Sequence, residues 1–152
     1  QRLLTPLKLL KREFPQALFS IDTFRSNVAE RCVDEGAQMI NDVSGGNFDK
    51  KMFATVVRLK VPYVLMHMYG TPKVMQNRPI THGVISEVRG FFEEKVGQLR
   101  QLGFEDVILD PGFGFGKSLE CNYSLLRHLQ DIRVGCLPLL VGVSRKSMIN
   151  KV

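Results

Sequence analysis

Short apolar runs alternate along this chain with longer amphipathic stretches, and this alternation restricts the possible folds more than any other sequence feature. The runs are rich in β-branched and aromatic residues, which favours strands, and they lie at residues 18–21, 39–40, 63–66, 107–109 and 139–141. A repeated strand–helix order places parallel strands side by side with helices outside them. The pattern therefore predicts an α/β fold with a parallel sheet.

The stretches between these runs carry apolar residues at helical spacing. The four predicted stripes are Val28, Cys32 and Val33; Met52, Phe53, Val56 and Val57; Val88, Phe92, Val96, Leu99 and Leu102; and Leu119, Tyr123, Leu126 and Leu129. Gly36 and Gly103 predict the ends of two helices, and Asp49 predicts an N-cap for the helix that contains Met52. Residues 3–14 predict one further helix.

Polar residues follow each apolar run, and their distribution distinguishes two parallel-sheet architectures. They are Asp22-Thr23, Asn41-Asp42, His67-Met68, Asp110-Pro111-Gly112 and Ser144-Arg145-Lys146. An open doubly wound sheet gathers ligand residues mainly at one switch point, whereas a (β/α)8 barrel opens every strand end onto one mouth. Clusters after all five runs favour the barrel. Because five strands cannot close it, we expect an incomplete (β/α)8 TIM barrel of about five βα units.

The segment from Asp110 to Lys117, Asp-Pro-Gly-Phe-Gly-Phe-Gly-Lys, is the most distinctive in the chain. Its proline biases Asp110 toward extended backbone, so that the carboxylate should project at the strand end. The alternating glycines should let the backbone approach a ligand, and the two phenylalanines offer flat faces for stacking. Pro111 excludes a phosphate-binding P-loop and Lys117 excludes a dinucleotide-binding pattern. An ordinary glycine-rich turn is the alternative.

Two further clusters each allow a functional and a structural interpretation. Arg145 and Lys146, with hydroxyls beside them, suit an anionic or carbonyl-bearing ligand, although surface loops often carry such pairs. The Asn41 amide can donate to and accept from the edge of a heterocycle. A helix-capping or turn role for Asn41 or Asp42 is the alternative.

The clusters after the first and third runs are equally open to two interpretations. Asp22-Thr23 can carry function or can form the N-cap region of a helix that begins near Ser26. Met66-His67-Met68 can line a site or can be core packing with one satisfied imidazole. No two histidines have the spacing of metal ligands.

Composition excludes several functional classes. Hydrophobic residues make up 44% and charged residues 24%, as in globular domains, and no apolar run approaches the roughly 20 residues that span a bilayer. The net charge is +6, but no basic run exceeds a pair, so we expect no nucleic-acid partner and no membrane partner. Three widely spaced cysteines without a C-x-x-C argue against a disulfide framework and suit a reducing cytoplasm.

Together these segments resemble dihydropteroate synthase along the whole chain. The matching pieces occur in family order at residues 20–23, 40–43, 65–68, 70–72, 75–76, 110–117 and 142–147. The glycine-phenylalanine run and the Ser-Arg-Lys-Ser segment are the most specific of them. The resemblance implies that residues 1–152 are the central part of one pterin-binding barrel domain, covering strands 3 to 7, and that strands 1, 2 and 8 are missing.

The resemblance also implies roles for individual residues. The substrate-binding residues would be Asp22, Asn41, Met66, Asp110, Phe115, Arg145, Lys146 and Ser147. Asp22, Asn41, Asp110 and Lys146 would recognise the pterin, with Met66 as a wall of its slot. Phe115 and the turn at residues 145–147 would border the p-aminobenzoate site. Asp22 and Lys146 would be the catalytic residues.

The implied reaction condenses 6-hydroxymethyl-7,8-dihydropterin diphosphate with p-aminobenzoate to give 7,8-dihydropteroate and pyrophosphate in folate biosynthesis. Mg²⁺ would assist departure of pyrophosphate, held by a ligand in the missing N-terminal segment rather than by this chain. The resemblance further implies a cytoplasmic transferase of a class that is a sulfonamide target, and a homodimer for the full-length protein. We expect this chain alone to be inactive, because the leaving-group half of the site lies on the missing strands.

Two other functions remain open at this point. Methyltetrahydrofolate:corrinoid methyltransferases are also pterin-binding barrels with an Asp/Asn pocket, although the segment at 110–117 followed by Ser-Arg-Lys-Ser is not expected in them. A non-catalytic domain that binds a pterin is the second alternative.

Overall fold

A computed structural model describes residues 2–70 and 79–150 of the chain. Its elements are α1 (Leu4–Glu13), β1 (Ser20–Asp22), α2 (Ser26–Asp34), β2 (Met39–Asp42), α3 (Met52–Leu59), β3 (Tyr63–Met66), α4 (Val84–Gln101), β4 (Val107–Asp110), α5 (Leu119–Arg127), a 3₁₀ helix (Leu129–Ile132) and α6 (Ser147–Asn150). Strands and helices alternate as predicted. The expected family segments at Thr71-Pro72 and Met75-Gln76 lie outside the described residues.

The described strands form one parallel sheet in the order β1-β2-β3-β4. Each strand therefore pairs with the next one along the chain, and the order contains no reversal. A doubly wound sheet requires such a reversal at its switch point, whereas consecutive parallel pairing is the arrangement of a (β/α)8 barrel. The sheet order thus favours the barrel.

The fifth predicted strand, at residues 139–141, is wrong in extent. Only an isolated bridge between Leu109 and Leu139 forms there, with hydrogen bonds from Leu109 N to Pro138 O (2.9 Å) and from Leu140 N to Leu109 O (2.8 Å). Within the described residues, the segment pairs on one side only, with β4. One-sided pairing at a sheet edge leaves Leu140 and Val141 exposed and does not extend the ladder.

Alternate strand residues point to opposite faces of the sheet. One face is buried beneath the helices and contributes Ile21, Ile40, Tyr63, Leu65, Val107 and Leu109 to the core. Helix residues such as Ala29, Met52, Val56, Phe92 and Leu99 cover it. The opposite face carries the polar ends of the strands, so the packing of the helices leaves these ends accessible.

Two helix ends confirm the predictions made from glycine. Gly36 and Gly103 have φ values of 93° and 75°. Behind them, Ala37 N donates to Cys32 O (2.9 Å) and Phe104 N to Leu99 O (3.0 Å), which is the Schellman arrangement. Among the described residues, no helix combines the length and hydropathy needed to cross a bilayer.

Three local predictions are confirmed only in part. Residues 18 and 19 precede β1; Leu18 is 83% exposed, whereas Phe19 packs against the core and its carbonyl accepts from Gln38 N (3.0 Å). The N-cap position of α3 is Lys51 rather than Asp49, but the Asp49 carboxylate accepts from Lys51 N (3.0 Å), as a capping residue does, and also from Ser26 N at the start of α2 (2.8 Å). The predicted apolar stripe of α5 is half confirmed: Leu119 and Leu129 pack against the core, whereas Tyr123 and Leu126 are exposed. The fully buried residues of the helix are Cys121, Asn122 and Leu125.

Candidate active site

The strand residues Asp22, Asn41, Met66 and Asp110 lie on one face of the sheet, whereas Asp42 lies on the opposite face. Asp22 is the register partner of Asn41, and Met66 is the register partner of Asp110. Asn41 is opposite Val64, two residues before Met66, so the two pairs share a face and are offset by about 6.6 Å along the strands. Neighbouring strands of a barrel are staggered in this way, and the offset brings the strand ends to one mouth.

The Asp22 carboxylate is exposed at the end of β1 and lines a groove of about 330 Å³ with Thr23, Arg25 and Val43. Desolvation raises the pKa of Asp22, and the nearby Asp42 carboxylate raises it further, whereas the Asn41 amide opposes the shift. Thr23 has the structural role that the sequence left open, because its hydroxyl accepts from Arg25 N (3.1 Å) just before α2. Asp22 is thus left available for a ligand.

The Asp110 carboxylate lies half-buried at the end of β4. One of its oxygens accepts from Gly112 N at 2.8 Å. Burial raises the pKa of Asp110, and the Gly112 N–H and the Lys146 and Lys117 ammonium groups counteract that rise. A partly desolvated carboxylate of this kind suits an acceptor for N–H groups of a ligand.

Lys146 extends from the loop before α6 toward the same strand end. Its ammonium donates to Phe113 O and lies 4.7 Å from the centre of the Phe115 ring. Desolvation lowers the pKa of Lys146, and Asp110 opposes this change. Arg145 adopts a positive φ of 58°, and its side chain and that of Ser147 are exposed. The structure therefore brings Lys146 and Phe115 to Asp110 and leaves Arg145 and Ser147 at the surface.

Two of the three glycines after Asp110 approach protein backbone, a role that the sequence did not predict. A Cβ atom on Gly112 would lie 2.0 Å from His67 O, and one on Gly116 would lie 2.3 Å from Tyr69 O. The loop after β4 therefore packs directly on the chain that follows β3. Only residues without a side chain permit that separation.

Asp42 and His67 have structural surroundings. The buried Asp42 carboxylate accepts from Ser44 N, Ser44 Oγ, Gly46 N and Tyr63 OH at 2.7 to 2.9 Å, so it holds the turn after β2. The His67 ring packs edge-on against Phe91. Its Nδ1 is buried without a hydrogen-bond partner in the part of the chain that the structure describes, so the expected satisfied imidazole is wrong for that atom.

The sequence matches the family of pterin binding enzymes over residues 1–152. The chain belongs to this family. A dihydropteroate synthase of Synechocystis is 41% identical over 154 residues, which cover 100% of this chain and 53% of the relative. A dihydropteroate synthase of Escherichia coli K12 is 39% identical, and the match covers 99% of this chain and 54% of the relative. The chain thus spans about half the length of these curated relatives.

Solved structures of dihydropteroate synthases have the same fold as this pterin binding chain. The Thermus thermophilus enzyme, solved in complex with 6HMPPP and with 4-aminobenzoate, gives a TM-score of 0.90 at 39% identity. It covers 99% of this chain, which corresponds to 59% and 58% of the two solved chains. The Yersinia pestis enzyme, solved with a sulfonamide drug complex, gives a TM-score of 0.91 at 35% identity. The match covers 99% of this chain and 55% of the solved chain. This likeness confirms the predicted barrel class.

Lys117 is the residue of this pterin binding chain that sequence reasoning missed. It is only 7% exposed, and its ammonium donates to three backbone carbonyls: Gly112 O (3.0 Å), Phe115 O (3.2 Å) and His67 O (3.3 Å). Burial lowers the pKa of Lys117 to about 7, although Asp110 opposes that shift. Lys117 lies in the distinctive segment 110–117, but that pattern did not indicate its role, because one of its three partners, His67, belongs to a distant segment of the chain.

The described residues offer no cluster of three or more His, Cys, Asp or Glu side chains that could hold a metal ion. A groove of about 560 Å³ between the first turns of α4 and α5 contains none of the strand-end residues named above. We therefore place the candidate site at the strand ends.

Proposed function

We propose that the protein carrying this chain is a dihydropteroate synthase, a transferase of folate biosynthesis. It would condense 6-hydroxymethyl-7,8-dihydropterin diphosphate with 4-aminobenzoate and release pyrophosphate. The observation that carries this proposal is the single face formed by Asp22, Asn41, Met66 and Asp110, with Lys146 at the same end. Complexes of related synthases with 6HMPPP and with 4-aminobenzoate support it.

In this proposal the pterin ring lies across the ends of β2, β3 and β4. Asp110 accepts hydrogen bonds from the amino group and ring N–H of the pterin, which together present two donors to a carboxylate. The Asn41 amide bonds another part of the ring edge. The Met66 side chain, 3% exposed, forms an apolar wall beside Asp110, its register partner.

The 4-aminobenzoate is proposed to lie on the Lys146 side. The Phe115 ring offers an aromatic face, and the Lys146 ammonium lies next to it. The positive charges of Arg145 and Lys146 and the Ser147 hydroxyl suit a carboxylate-bearing substrate. A sulfonamide that mimics 4-aminobenzoate would occupy the same place.

The proposed chemistry is a substitution at the exocyclic methylene of the pterin. The methylene C–O bond breaks and pyrophosphate leaves with its electron pair, the amine nitrogen forms the new C–N bond, and the amine loses a proton. When departure precedes attack, positive charge develops on the pterin. An Asp22 carboxylate already fixed near that charge stabilises it without reorganisation.

We propose a cytoplasmic homodimer for the complete protein, acting on small molecules rather than on nucleic acid or a membrane. The three free cysteines support a reducing compartment. Mg²⁺ remains a proposal drawn from the family resemblance.

The proposal is tested by measuring pyrophosphate release from the complete protein. We expect release only when the pterin diphosphate and 4-aminobenzoate are both present, with dihydropteroate as the other product. Asp22→Asn should lower kcat more than it changes either KM, because it removes charge stabilisation in the transition state. Methyl transfer to a corrinoid protein in place of pyrophosphate release would contradict the proposal.

Asp110→Asn should weaken binding of 6-hydroxymethylpterin by about tenfold to a hundredfold, because the amide replaces one acceptor with a donor and removes the charge. Titration calorimetry measures the change. The matched control is Asp106→Asn, an exposed aspartate that directly precedes the same strand. Equal affinities of all three proteins would place the pterin elsewhere.

A further inference from the structure

The buried Lys117 ammonium donates to three backbone carbonyls, whose dipoles offset part of the cost of removing its charge from water. Its three N–H donors match the three carbonyls of His67, Gly112 and Phe115 in number. Buried lysines are uncommon because removing an ammonium group from water is costly. A cation held under a loop by three carbonyls makes the loop conformation depend on that cation.

These carbonyls belong to two different segments. Gly112 and Phe115 lie in the loop after β4, whereas His67 directly follows β3. Backbone contacts reinforce the same junction, since Ile80 N donates to Gly116 O and Ser118 N to Ile80 O, both at 2.9 Å. Lys117 therefore ties the glycine-rich loop to the end of the neighbouring strand.

The loop that Lys117 holds also positions Lys146. Phe113 O accepts from the Lys146 ammonium, and the Phe115 ring lies beside the same group. Asp110 is fixed differently, because it belongs to the β4 ladder and its carbonyl accepts from His67 N at 2.9 Å. Loss of the Lys117 contacts should thus displace Phe115 and Lys146 more than Asp110.

We propose that Lys117 is a positioning residue for the 4-aminobenzoate half of the site: by binding the three carbonyls, it sets where Phe115 and Lys146 meet that substrate. Lys117 itself contacts neither substrate. This inference rests on the proposed synthase function. It implies that different contacts position the residues of the two substrate subsites.

Protonation of Lys117 offers a second measurement. With a pKa lowered to about 7 by burial, the ammonium loses a proton near neutral pH, and the resulting amine keeps only two N–H donors for three carbonyls. The titratable groups around it are Asp110, Lys146, Cys121, Glu87 and His67. Lys146 is present in every variant of Lys117, so a pH dependence that is confined to the wild type reports Lys117.

The test compares steady-state kinetics of the complete protein with its Lys117→Met and Lys117→Gln variants. In Lys117→Met, which has no donors, the KM for 4-aminobenzoate should rise about tenfold, while the KM for the pterin diphosphate should rise less, because Asp110 and Asn41 stay in place and only the Lys146 contact with the pterin weakens. Lys117→Gln keeps two donors and should lie between wild type and Lys117→Met. From pH 6 to 8.5 the wild-type KM for 4-aminobenzoate should approach that of Lys117→Gln, which should not rise in the same way.

Controls separate the possible failures. Lys50→Met, at an exposed lysine before α3, should leave both KM values unchanged. A role limited to stability would reduce the folded fraction and the apparent kcat without altering either KM, and that outcome overturns the inference. If Lys117→Met does not fold, the KM values of Lys117→Gln and the pH comparison test the positioning role of Lys117. Absence of pyrophosphate release in the wild type would instead contradict the proposed function.

Discussion

Gly112 lies where the loop after β4 crosses the chain that follows β3. Its φ is 63°, and a Cβ atom there would meet His67 O at 2.0 Å and His67 C at 3.2 Å. Both obstacles are backbone atoms, so no side-chain rotation can relieve the contact. At this residue, the close packing of the two loops and the left-handed backbone both require glycine.

Gly112→Ala should destabilise the protein by about 3 kcal/mol or more, because left-handed backbone strain and a clash with main chain add together. Urea unfolding followed by circular dichroism measures the loss. Gly97→Ala is the matched control: it lies inside α4 with no atom within 4 Å of the new Cβ, and should stabilise by about 0.5–1 kcal/mol. Similar stabilities for both variants would contradict this close crossing of the two loops.

At the scale of elements, the turn after β2 depends on one buried carboxylate. Asp42 accepts from Ser44 N, Ser44 Oγ and Gly46 N within the turn and from Tyr63 OH on β3. Burial and the Asp42 charge raise the pKa of Tyr63 well above its usual range, so Tyr63 remains a donor. The turn is thereby fixed to the neighbouring strand, beside Asn41.

Asp42→Ala should cost about 3 kcal/mol or more, because it leaves several buried donors without an acceptor. Tyr63→Phe removes one donor while three remain, and should cost about 1 kcal/mol. Thermal and urea unfolding give both values, with Asp34→Ala at an exposed position of α2 as the reference. The reverse order of the two losses would show that Tyr63, rather than Asp42, organises the turn.

The face of α5 shows why hydrophobic periodicity was insufficient for one element. Its buried face includes Asn122, whose side chain accepts from Gly114 N (2.7 Å) and donates to Ser118 O (2.7 Å). Tyr123 and Leu126, which the apolar pattern placed inside, are 38% and 42% exposed. A polar residue that supports a neighbouring loop cannot be distinguished from a surface residue by its period alone.

At the scale of the whole molecule, a buried imidazole and a buried ammonium lie at the junction of the β3 and β4 loops. Burial lowers the pKa of His67 to about 3, and the nearby Lys117 charge lowers it as well. The imidazole is therefore neutral in the folded state at pH values where the unfolded chain is protonated. This difference couples global stability to pH.

Between about pH 6.5 and 3, the unfolded state binds a proton at His67 that the folded state does not, so stability falls as the pH decreases, by up to about 1.4 kcal/mol per pH unit. The stability that the neutral His67 imidazole contributes is fully present above pH 6.5. His67→Leu should lose this part of the dependence, which urea unfolding at pH 7 and pH 4.5 measures. Replacing the exposed His82 by Gln should keep the wild-type slope; an unchanged slope in His67→Leu would refute the assignment.

The sequence by itself determined the strand–helix order, the two glycine helix ends at Gly36 and Gly103, and the strand-end positions of Asp22, Asn41 and Asp110. These features follow from local backbone preference and from the period of apolar residues, both of which are written along the chain. The same pattern placed the polar ends together, because parallel strands share one direction.

Only the tertiary structure decided what each remaining polar residue contacts. Lys117 became a buried cation, Asp49 a partner of α2, and Gly112 a point of close packing, each through chain segments 20 or more residues away. Such contacts depend on the three-dimensional approach of separate loops, for which no local pattern exists. The physical reason is that burial and hydrogen-bond partners are properties of the packed chain rather than of the residue.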